Sequence, residues 1–326
     1  MKKFLLTMAV AATTLFATAQ TKTYTDNLVV AINGEASEPM PTTINVKNNG
    51  DNTYSLSLNE FRLGGMIAVG NIVIDDITVT DEGGIKSFAT KQNIFITAGE
   101  GDAGDWLGPM LGEVPVDLKG KMTNGSLFCT IGIDLTKDMG QVIDVTFGKD
   151  IKATRNYTDD LSVTINGQTS PAQQTTINVD EKADGTYSLS LNDFTLDGIP
   201  VGNIVLHDIT TTTAGEIKNF ATKQNIFITA GEDNEKDWLG PMLGEVPVDL
   251  AGKMTEHKLY CNIDIDMTAL LGQTINVTFG SEDLSGIEDI ILDKDEVVIY
   301  DITGRRVNAI TTPGIYIVNG KKQIIK

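Results

Sequence analysis

Histidine, cysteine and tryptophan are scarce in this sequence. Two of each occur among 326 residues, and aromatic residues make up only 6% of the chain. No group of His, Cys, Asp and Glu has the spacing of a known metal site, and no Ser or Cys nucleophile has a base near it in the sequence. We therefore expect no catalytic residues, no cofactor, no metal ion and no enzymatic activity.

Long hydrophobic runs are missing beyond the N-terminus. Met1-Lys2-Lys3 precede an apolar run from Phe4 to Phe16, and Ala17-Thr18-Ala19 stand before Gln20. This order is typical of a secretory signal peptide at residues 1–19, and the run is too short for a permanent membrane anchor. The sequence predicts an exported protein without a transmembrane helix, located at the cell surface or outer membrane or secreted, and periplasmic in transit.

Positive charge is also in short supply. The chain has 25 Lys and Arg against 44 Asp and Glu, which gives a formal net charge of −19. A body this acidic repels phosphate backbones, so nucleic acids and anionic membranes are poor partners.

A long internal repeat dominates what the sequence does contain. Residues 105–118 read DWLGPMLGEVPVDL and recur unchanged as residues 237–250, while FATKQNIFITAGE occurs at 88–100 and again at 220–232. The offset of about 132 residues is too long for a solenoid repeat and suits a duplicated small domain.

Each copy contains eight segments that alternate between apolar and polar residues. In the first copy they are Leu28–Asn33, Thr42–Lys47, Thr53–Arg62, Val69–Val79, Ile85–Ala98, Val114–Met122, Leu127–Leu135 and Val142–Phe147. Such alternation indicates half-buried strands, and the short Gly- and Asn-rich connections indicate hairpins. Eight antiparallel strands in a meander close into an up-and-down barrel; an open two-sheet sandwich is the alternative. The expected fold class is all-β.

Several segments, many of them shared by both copies, carry a family resemblance. They are Tyr24-Thr25-Asp26-Asn27-Leu28 with Tyr157-Thr158-Asp159-Asp160-Leu161, Thr53-Tyr54-Ser55-Leu56-Ser57-Leu58 with Gly185-Thr186-Tyr187-Ser188-Leu189, Val69-Gly70-Asn71-Ile72-Val73, Gly120-Lys121-Met122-Thr123, and Val145-Thr146-Phe147-Gly148 with Val277-Thr278-Phe279-Gly280. These segments resemble the calycin-like β-barrel domains of exported proteins from the Bacteroides group. The resemblance implies two lipocalin-related barrels and brings no catalytic motif.

The C-terminal residues carry a second resemblance. Residues 297–307 (VVIYDITGRRV) and 313–322 (PGIYIVNGKK) are similar to the C-terminal sorting domain of type IX secretion substrates. That resemblance implies a small β module that addresses the protein to the surface; a plain β appendage is the alternative. The expected domains are thus a signal peptide at 1–19, barrel 1 at 22–150, barrel 2 at 155–282 and the C-terminal module at 284–326.

The cysteines and histidines fit structural rather than chemical roles. Cys129 and Cys261 occupy equivalent places and share a strand face with Leu and Ile, which predicts two buried free thiols and no disulfide. His207 and His257 are replaced in the first copy by Asp75 and Gly125. Because a duplicated active site would keep its base in both copies, we interpret both histidines as surface residues.

The acidic loops are the remaining candidates for a metal site. Residues 233–237 place oxygen-bearing side chains at alternate positions, as a calcium loop does, but lack its turn glycine and terminal glutamate. Residues 100–105 supply fewer such groups at a different spacing. We interpret both loops as solvated.

The apolar segments around the two tryptophans, residues 106–112 and 238–244, are the candidate binding sites and are called the Trp blocks below. Their Gly and Pro content predicts loops. In one hypothesis Trp106, Leu107 and Met110, with Trp238, Leu239 and Met242, line the mouth of a lipocalin-like cavity and bind a small hydrophobic ligand. In the other, which we favour, they close the barrel ends and the protein meets a surface protein or glycan through its outer faces. Inhibition of a protease by an acidic barrel is a third reading, by analogy alone.

Overall fold

The alternating segments of the sequence form β-strands. A computed structural model describes residues 20–101, 105–137, 139–232, 236–268, 272–284, 299–301, 305–307, 314–318 and 321–325. The predicted signal peptide lies outside these residues. The chain forms two compact units: one runs to Leu284 and contains both barrels, and the other contains the C-terminal strands.

Barrel 1 is a closed meander. Its strands are β1 (Gln20–Ile32), β2 (Glu35–Ala36), β3 (Met40–Asn48), β4 (Thr53–Leu63), β5 (Ile67–Glu82), β6 (Ile85–Phe95), β7 (Glu113–Met122), β8 (Leu127–Leu135) and β9 (Gln141–Phe147). Successive long strands pair antiparallel, and β2 is a two-residue addition to β1. The last strand returns to the first, from Leu28 opposite Phe147 to Ile32 opposite Ile143, so the predicted barrel with eight long strands is confirmed.

Barrel 2 repeats this pairing with one interruption. Its strands are β10 (Ile151–Ile165), β11 (Gln168–Thr169), β12 (Gln173–Lys182), β13 (Tyr187–Leu196), β14 (Ile199–Ile209), β15 (Thr211–Ala214), β16 (Ile217–Phe227), β17 (Glu245–Met254), β18 (Leu259–Met267) and β19 (Gln273–Phe279). The first and last strands pair again, Leu161 opposite Phe279. Thr210 divides the strand that is continuous in barrel 1, so this sheet is curled and its hydrogen-bonded path is open between β14 and β15.

The wall of each barrel has a seam between its fourth and fifth long strands. In barrel 1, β5 pairs with β6 over Val79–Glu82 and through an isolated bridge between Asn71 and Thr97. Between these points the Gln92 side chain crosses the seam and donates to the Asp75 carbonyl at 2.8 Å. Gly70, with φ of +128°, lets the strands approach, because a Cβ there would lie 2.2 Å from the Thr97 carbonyl oxygen. The same seam in barrel 2 is bridged by Gln224, which bonds both backbone groups of His207.

Side chains pointing inward fill both barrels. The buried cluster of barrel 1 comprises Tyr24, Leu28, Val30, Ile44, Val46, Leu56, Leu58, Ile74, Ile77, Phe88, Ile94, Ile96, Val114, Val116, Leu118, Met122, Leu127, Cys129 and Phe147, with Ile131 and Ile133 packed against it. Barrel 2 has an equivalent cluster around Leu161, Leu206, Leu250 and Phe279. These clusters follow the period of two, because alternate residues of a strand face the same side of the sheet.

The barrels are joined by only three residues between β9 and β10, and these are held in place. Lys149 forms ion pairs of 2.7 Å with both Asp184 and Asp208 of barrel 2. The neighbouring Asp150 accepts from Lys121 of barrel 1 at 2.6 Å. The joint therefore fixes the two barrels to each other rather than acting as a flexible linker.

The C-terminal unit is a small antiparallel sheet. Its strands are β20 (Ile299–Asp301), β21 (Arg306–Val307), β22 (Gly314–Val318) and β23 (Lys321–Ile325), in the order β21-β20-β22-β23. Tyr316 is buried within it. This sheet agrees with the small β module expected at the end of the chain.

Candidate functional site

The first Trp block closes one end of barrel 1. Trp106 is 3% exposed, and a Cβ on Gly99 would lie 2.4 Å from its ring, so the loop closes over the ring only because residue 99 is glycine. The Leu107 amide donates to the Ala68 carbonyl of β5 at 2.8 Å. The Arg62 guanidinium lies 4.8 Å from the centre of the indole ring, within range of a cation–π contact. Trp106 is thus an anchor of the loop and not an exposed binding group.

The second Trp block repeats this arrangement at the end of barrel 2. Trp238 is 7% exposed, and Gly231 meets its ring as Gly99 meets that of Trp106. The Leu239 amide donates to the Pro200 carbonyl at 2.9 Å. The residue equivalent to Arg62 is Thr195, and here Lys236 of the loop itself contacts the ring, with its ammonium 5.6 Å from the ring centre.

The six candidate residues therefore divide between burial and exposure. Both tryptophans are buried, whereas Met110 and Met242 are 78% and 73% exposed. The side chains of Leu111 and Leu243, which the sequence argument left out, pack against the barrel cores. The block therefore caps the barrel with Trp and this later leucine and presents its methionine to solvent.

Three of the predicted residues share one surface cavity. Trp106, Leu107 and Met110 line a cavity of about 440 Å³ on the outside of the barrel 1 end, together with Arg62, Met66, Ile67, Ala68 and Asp105. Met66 and Ile67 are exposed apolar residues at the β4–β5 hairpin. Its lining is apolar apart from the guanidinium of Arg62 and the carboxylate of Asp105.

Each barrel also has a concave outer face formed by its last four long strands. In barrel 2 a cavity of about 880 Å³ is lined by Thr164, Gly167, Lys223, Gln224, Asn225, Pro247, Val248, Asp249, Asp264, Ile265, Asp266, Thr274, Ile275 and Asn276. Lys223 pairs with Asp249 at 2.6 Å, and Asn276 donates to Asp264 at 2.7 Å. The equivalent face of barrel 1 encloses about 470 Å³ and keeps the matching pair of Lys91 and Asp117 at 2.8 Å. Both faces combine charged and amide side chains with apolar ones such as Val248 and Ile265 in barrel 2 and Val116 and Ile133 in barrel 1.

A third cavity lies between the barrels and includes one predicted surface histidine. It measures about 320 Å³, and Lys22 to Asn27 of β1 line it from one side and Asn203, Val205 and His207 from the other. His207 Nδ1 lies 3.7 Å from Asp26 Oδ2. His207 is half-buried between the barrels rather than on an open surface, because its partners come from the other barrel and no pattern within its own strand reveals them. His257 is exposed in a turn, as predicted.

Acidification is expected to weaken the contribution of His207 to stability. Burial is the largest effect and lowers the pKa of His207 from the ordinary 6.5, and the positive charge of Lys182 lowers it further. The carboxylates of Asp26 and Asp208 and a hydrogen bond with the Thr25 backbone act in the opposite direction without cancelling this shift. The unfolded chain then takes up this proton at a higher pH than the folded chain. The stability that neutral His207 contributes is therefore complete above pH 6.5. It is lost as the pH falls from 6.5 through the lower pKa of the folded state.

Thermal melts between about pH 8 and about pH 5 measure this effect. The Tm of a His207→Gln variant should fall less on acidification than that of the wild type. Equal falls for the two proteins would contradict the assignment.

Both cysteines are buried free thiols, as predicted. Burial raises the pKa of Cys129 to about 12 and raises that of Cys261 further. A thiol in such surroundings is not a nucleophile near neutral pH.

The acidic loops fall partly outside the structure. Residues 102–104 and 233–235 of these loops lie outside the described residues. Within the described ranges, no group of three or more His, Cys, Asp and Glu is placed to hold a metal ion. Nor does any described helix have the length and apolar character needed to cross a membrane.

Fold and cavities together define a class: a tandem small-barrel protein whose barrels are filled by their own side chains and capped by a Trp-containing loop. The chain belongs to the calycin-like β-barrel domain family, whose model matches residues 21–149 and again residues 154–282. No curated protein matches the chain.

Two solved structures are similar to the chain. One, from Bacteroides fragilis, is described as "a putative outer membrane protein"; it is 15% identical, with 80% of this chain and 97% of that chain covered and a TM-score of 0.30. The other is a protein with unknown function from the DUF3598 family of Nostoc punctiforme, 10% identical over 79% of this chain and 94% of that chain, with a TM-score of 0.19. Both likenesses are remote.

Proposed function

We propose that this chain is an exported, non-enzymatic protein of the cell envelope or cell surface, in which two fused calycin-like barrels act as a rigid module that meets its partner through outer surfaces. The single observation that carries the proposal is the filling of the barrels. A carrier of the lipocalin type needs an interior cavity, whereas the inward positions of barrel 1 form one continuous buried cluster.

The Trp blocks support the same reading. The buried rings of Trp106 and Trp238 stand against glycines that leave no room for another atom, and the neighbouring leucines pack on the core. A loop held this tightly is suited to closing a barrel. A lid would need to open, and its contacts would be weaker.

We place the partner on the concave outer faces of the two barrels. These faces recur in both barrels with the same Lys–Asp pair, and they present amides and carboxylates rather than aromatic rings. A polar partner such as a surface protein or glycan fits this chemistry.

The proposed export is supported by sequence patterns at both ends of the chain. The signal-peptide pattern at residues 1–19 and the sorting-like tail support passage out of the cytoplasm. The boundaries 22–150, 155–282 and 284–326 are our proposal for the mature domains.

A lipocalin-like carrier remains the second candidate, and one observation favours it. The cavity at the end of barrel 1 brings Trp106, Leu107 and Met110 together with Met66 and Arg62. A small hydrophobic ligand with an acidic group would suit an apolar wall beside a guanidinium.

Native mass spectrometry of protein purified from its own host envelope, with solvent extraction beside it, distinguishes the two candidates. We expect a ligand-free mass. A hydrophobic ligand that is lost from a Met66→Ser, Met110→Ser variant, but retained by Phe95→Ser, would establish the carrier instead. Phe95 is the matched control, because it is 64% exposed yet does not line this cavity.

A further inference from the structure

The concave outer face of barrel 2 carries a row of polar side chains that runs across five strands. Lys223 on β16 lies opposite Asp249 on β17, and Asp249 lies opposite Asp264 on β18. Asp264 lies opposite Asn276 on β19, which in turn lies opposite Thr164 on β10. All five residues line the cavity of about 880 Å³. Because neighbouring strands lie about 4.8 Å apart, the row is about 20 Å long and places one polar side chain on each strand.

Barrel 1 has the same row with gaps in it. Its members, in the same order across the strands, are Lys91, Asp117, Gly132, Asp144 and Ala31. Gly132 and Ala31 offer no polar side chain, and the cavity on this face measures about 470 Å³ against about 880 Å³ in barrel 2. The row is therefore complete only in barrel 2, and inheritance from a duplication does not explain that difference.

The cavity of barrel 2 adjoins the cavity between the barrels, because Gln224 and Asn225 line both. Asn225 is exposed, and its side chain forms no hydrogen bond with any described residue, whereas the equivalent Asn93 donates to Glu113 at 3.3 Å. Phe227, two residues further along β16, lies on the same side of the sheet, lines the second cavity and is 65% exposed. The two cavities together form a groove with polar walls and one exposed aromatic ring.

The chemistry of this groove fits a glycan better than a protein. The centre of a protein interface is depleted of charged residues, whereas carboxylate, amide and ammonium groups follow one another along this row. Carboxylate and amide oxygens accept hydrogen bonds from sugar hydroxyls, and amide and ammonium groups donate to them. Their spacing of about 4.8 Å is close to the length of one sugar unit in an extended chain. The Phe227 ring offers an apolar surface to the C–H face of one such unit.

The charge of the groove restricts the kind of glycan. The cavity of barrel 2 has three carboxylates, from Asp249, Asp264 and Asp266, against the single ammonium group of Lys223. An anionic polysaccharide would be repelled by this excess of negative charge. An uncharged glycan meets no such repulsion, and its hydroxyls can donate to every carboxylate oxygen that is exposed.

We propose, in a step that rests on the outer-surface role proposed above, that this groove of barrel 2 binds an extended, uncharged glycan. Sugar hydroxyls bond to the row from Thr164 to Lys223. Asn225 and Phe227 hold the end of the glycan that enters the space between the barrels. The face of barrel 1 does not hold this ligand, because its row is interrupted at Gly132 and Ala31.

Native electrophoresis of the full chain, in gels that each contain one soluble polysaccharide, tests the proposal. The uncharged polymers are dextran, laminarin, arabinoxylan, galactomannan and xyloglucan, and polygalacturonate is the anionic comparison. The wild type should be retarded in at least one of the uncharged gels and should migrate freely with polygalacturonate. Unchanged migration in every uncharged gel, or the strongest retardation with polygalacturonate, would overturn the proposal.

Substitutions at equivalent places in the two barrels give a matched comparison. Asp264→Gly gives barrel 2 the interrupted row of barrel 1 and should weaken binding at least about tenfold, as should Asn225→Ala with Phe227→Ala. Asn93→Ala with Phe95→Ala changes the same two positions of barrel 1 and should leave the retardation unchanged. All five side chains are exposed, so the variants should remain folded, which their Tm checks. Equal losses from the changes in both barrels would contradict a site in barrel 2.

Native mass spectrometry separates the loss of the glycan from the loss of the outer-surface role. A ligand-free mass combined with free migration in all gels would rule out the glycan and leave the outer faces to a protein partner. A bound hydrophobic ligand would instead overturn the outer-surface role itself.

Discussion

Replacing Trp106 with alanine is expected to lower the free energy of unfolding of barrel 1 by about 3–5 kcal/mol. The ring is 3% exposed and packs directly on Gly99, so its removal leaves a void that the loop cannot fill. The loss should lower the Tm of the first barrel by roughly 10 °C or more. Calorimetry measures it directly.

Met110→Ala is the matched control for this change. It lies in the same loop, four residues further on, but its side chain is 78% exposed. Its effect on the free energy of unfolding should stay within about 0.5 kcal/mol. If the two variants were equally stable, Trp106 would not be the anchor of the loop.

Gly125→His is expected to separate the barrels. The added Cβ would meet Ser190 at 2.1 Å, and the backbone there does not have the left-handed conformation that requires glycine. The substitution should break two hydrogen bonds between the barrels, from Thr123 to Asp180 and between Ser126 and Ser188, and expose Asp180 to solvent. We expect a loss of about 2–4 kcal/mol in the free energy of unfolding and a longer maximum dimension in small-angle scattering.

The chain supplies its own control for that experiment. The equivalent turn of barrel 2 carries His257, so a histidine is compatible with the turn itself. A Ser190→Gly substitution added to Gly125→His removes the atoms that clash and should restore part of the stability. A Gly125→His protein with wild-type Tm and scattering would show that the turn does not bear on barrel 2.

The strands were predictable wherever one face is buried by the barrel itself. Tyr54, Leu56 and Leu58 alternate with serines, and they lie on β4 as expected. The first strand was underestimated: the prediction began at Leu28, whereas β1 begins at Gln20. Its first eight residues are mostly polar and are held by pairing with β3, which a periodicity of apolar residues does not reveal.

The contact between the barrels was not predictable from local pattern. His207 and Asp26 are separated by 181 positions in the chain, and Thr123 and Asp180 by 57. Their roles depend on how one barrel lies on the other. The difference between Gly125 and His257 was visible in the sequence, but its meaning required the Ser190 hydroxyl to be placed beside it.

The sequence correctly predicted that the Trp blocks are loops, but it did not predict which of their side chains face the barrel. An apolar loop rich in Gly and Pro does not specify which of its side chains face inward. The structure buries Trp106, packs the partly buried Leu111 against the core and exposes Met110, a division set by Gly99, Ile96 and the Ala68 carbonyl, all from other segments.

The pairing of the first and last strands determines how each barrel would respond to a pulling force. Because Leu28 lies opposite Phe147 and the strands are antiparallel, the chain enters and leaves barrel 1 at the same end. Tension between the two ends would load the hydrogen bonds of β1 and β9 one after another, as in opening a zipper, rather than all at once. The same holds for Leu161 and Phe279 in barrel 2. A protein held at one end on a surface and pulled at the other would therefore yield first at these strand pairs, and because Leu28 and Phe147 belong to the core of barrel 1, their separation would open that core.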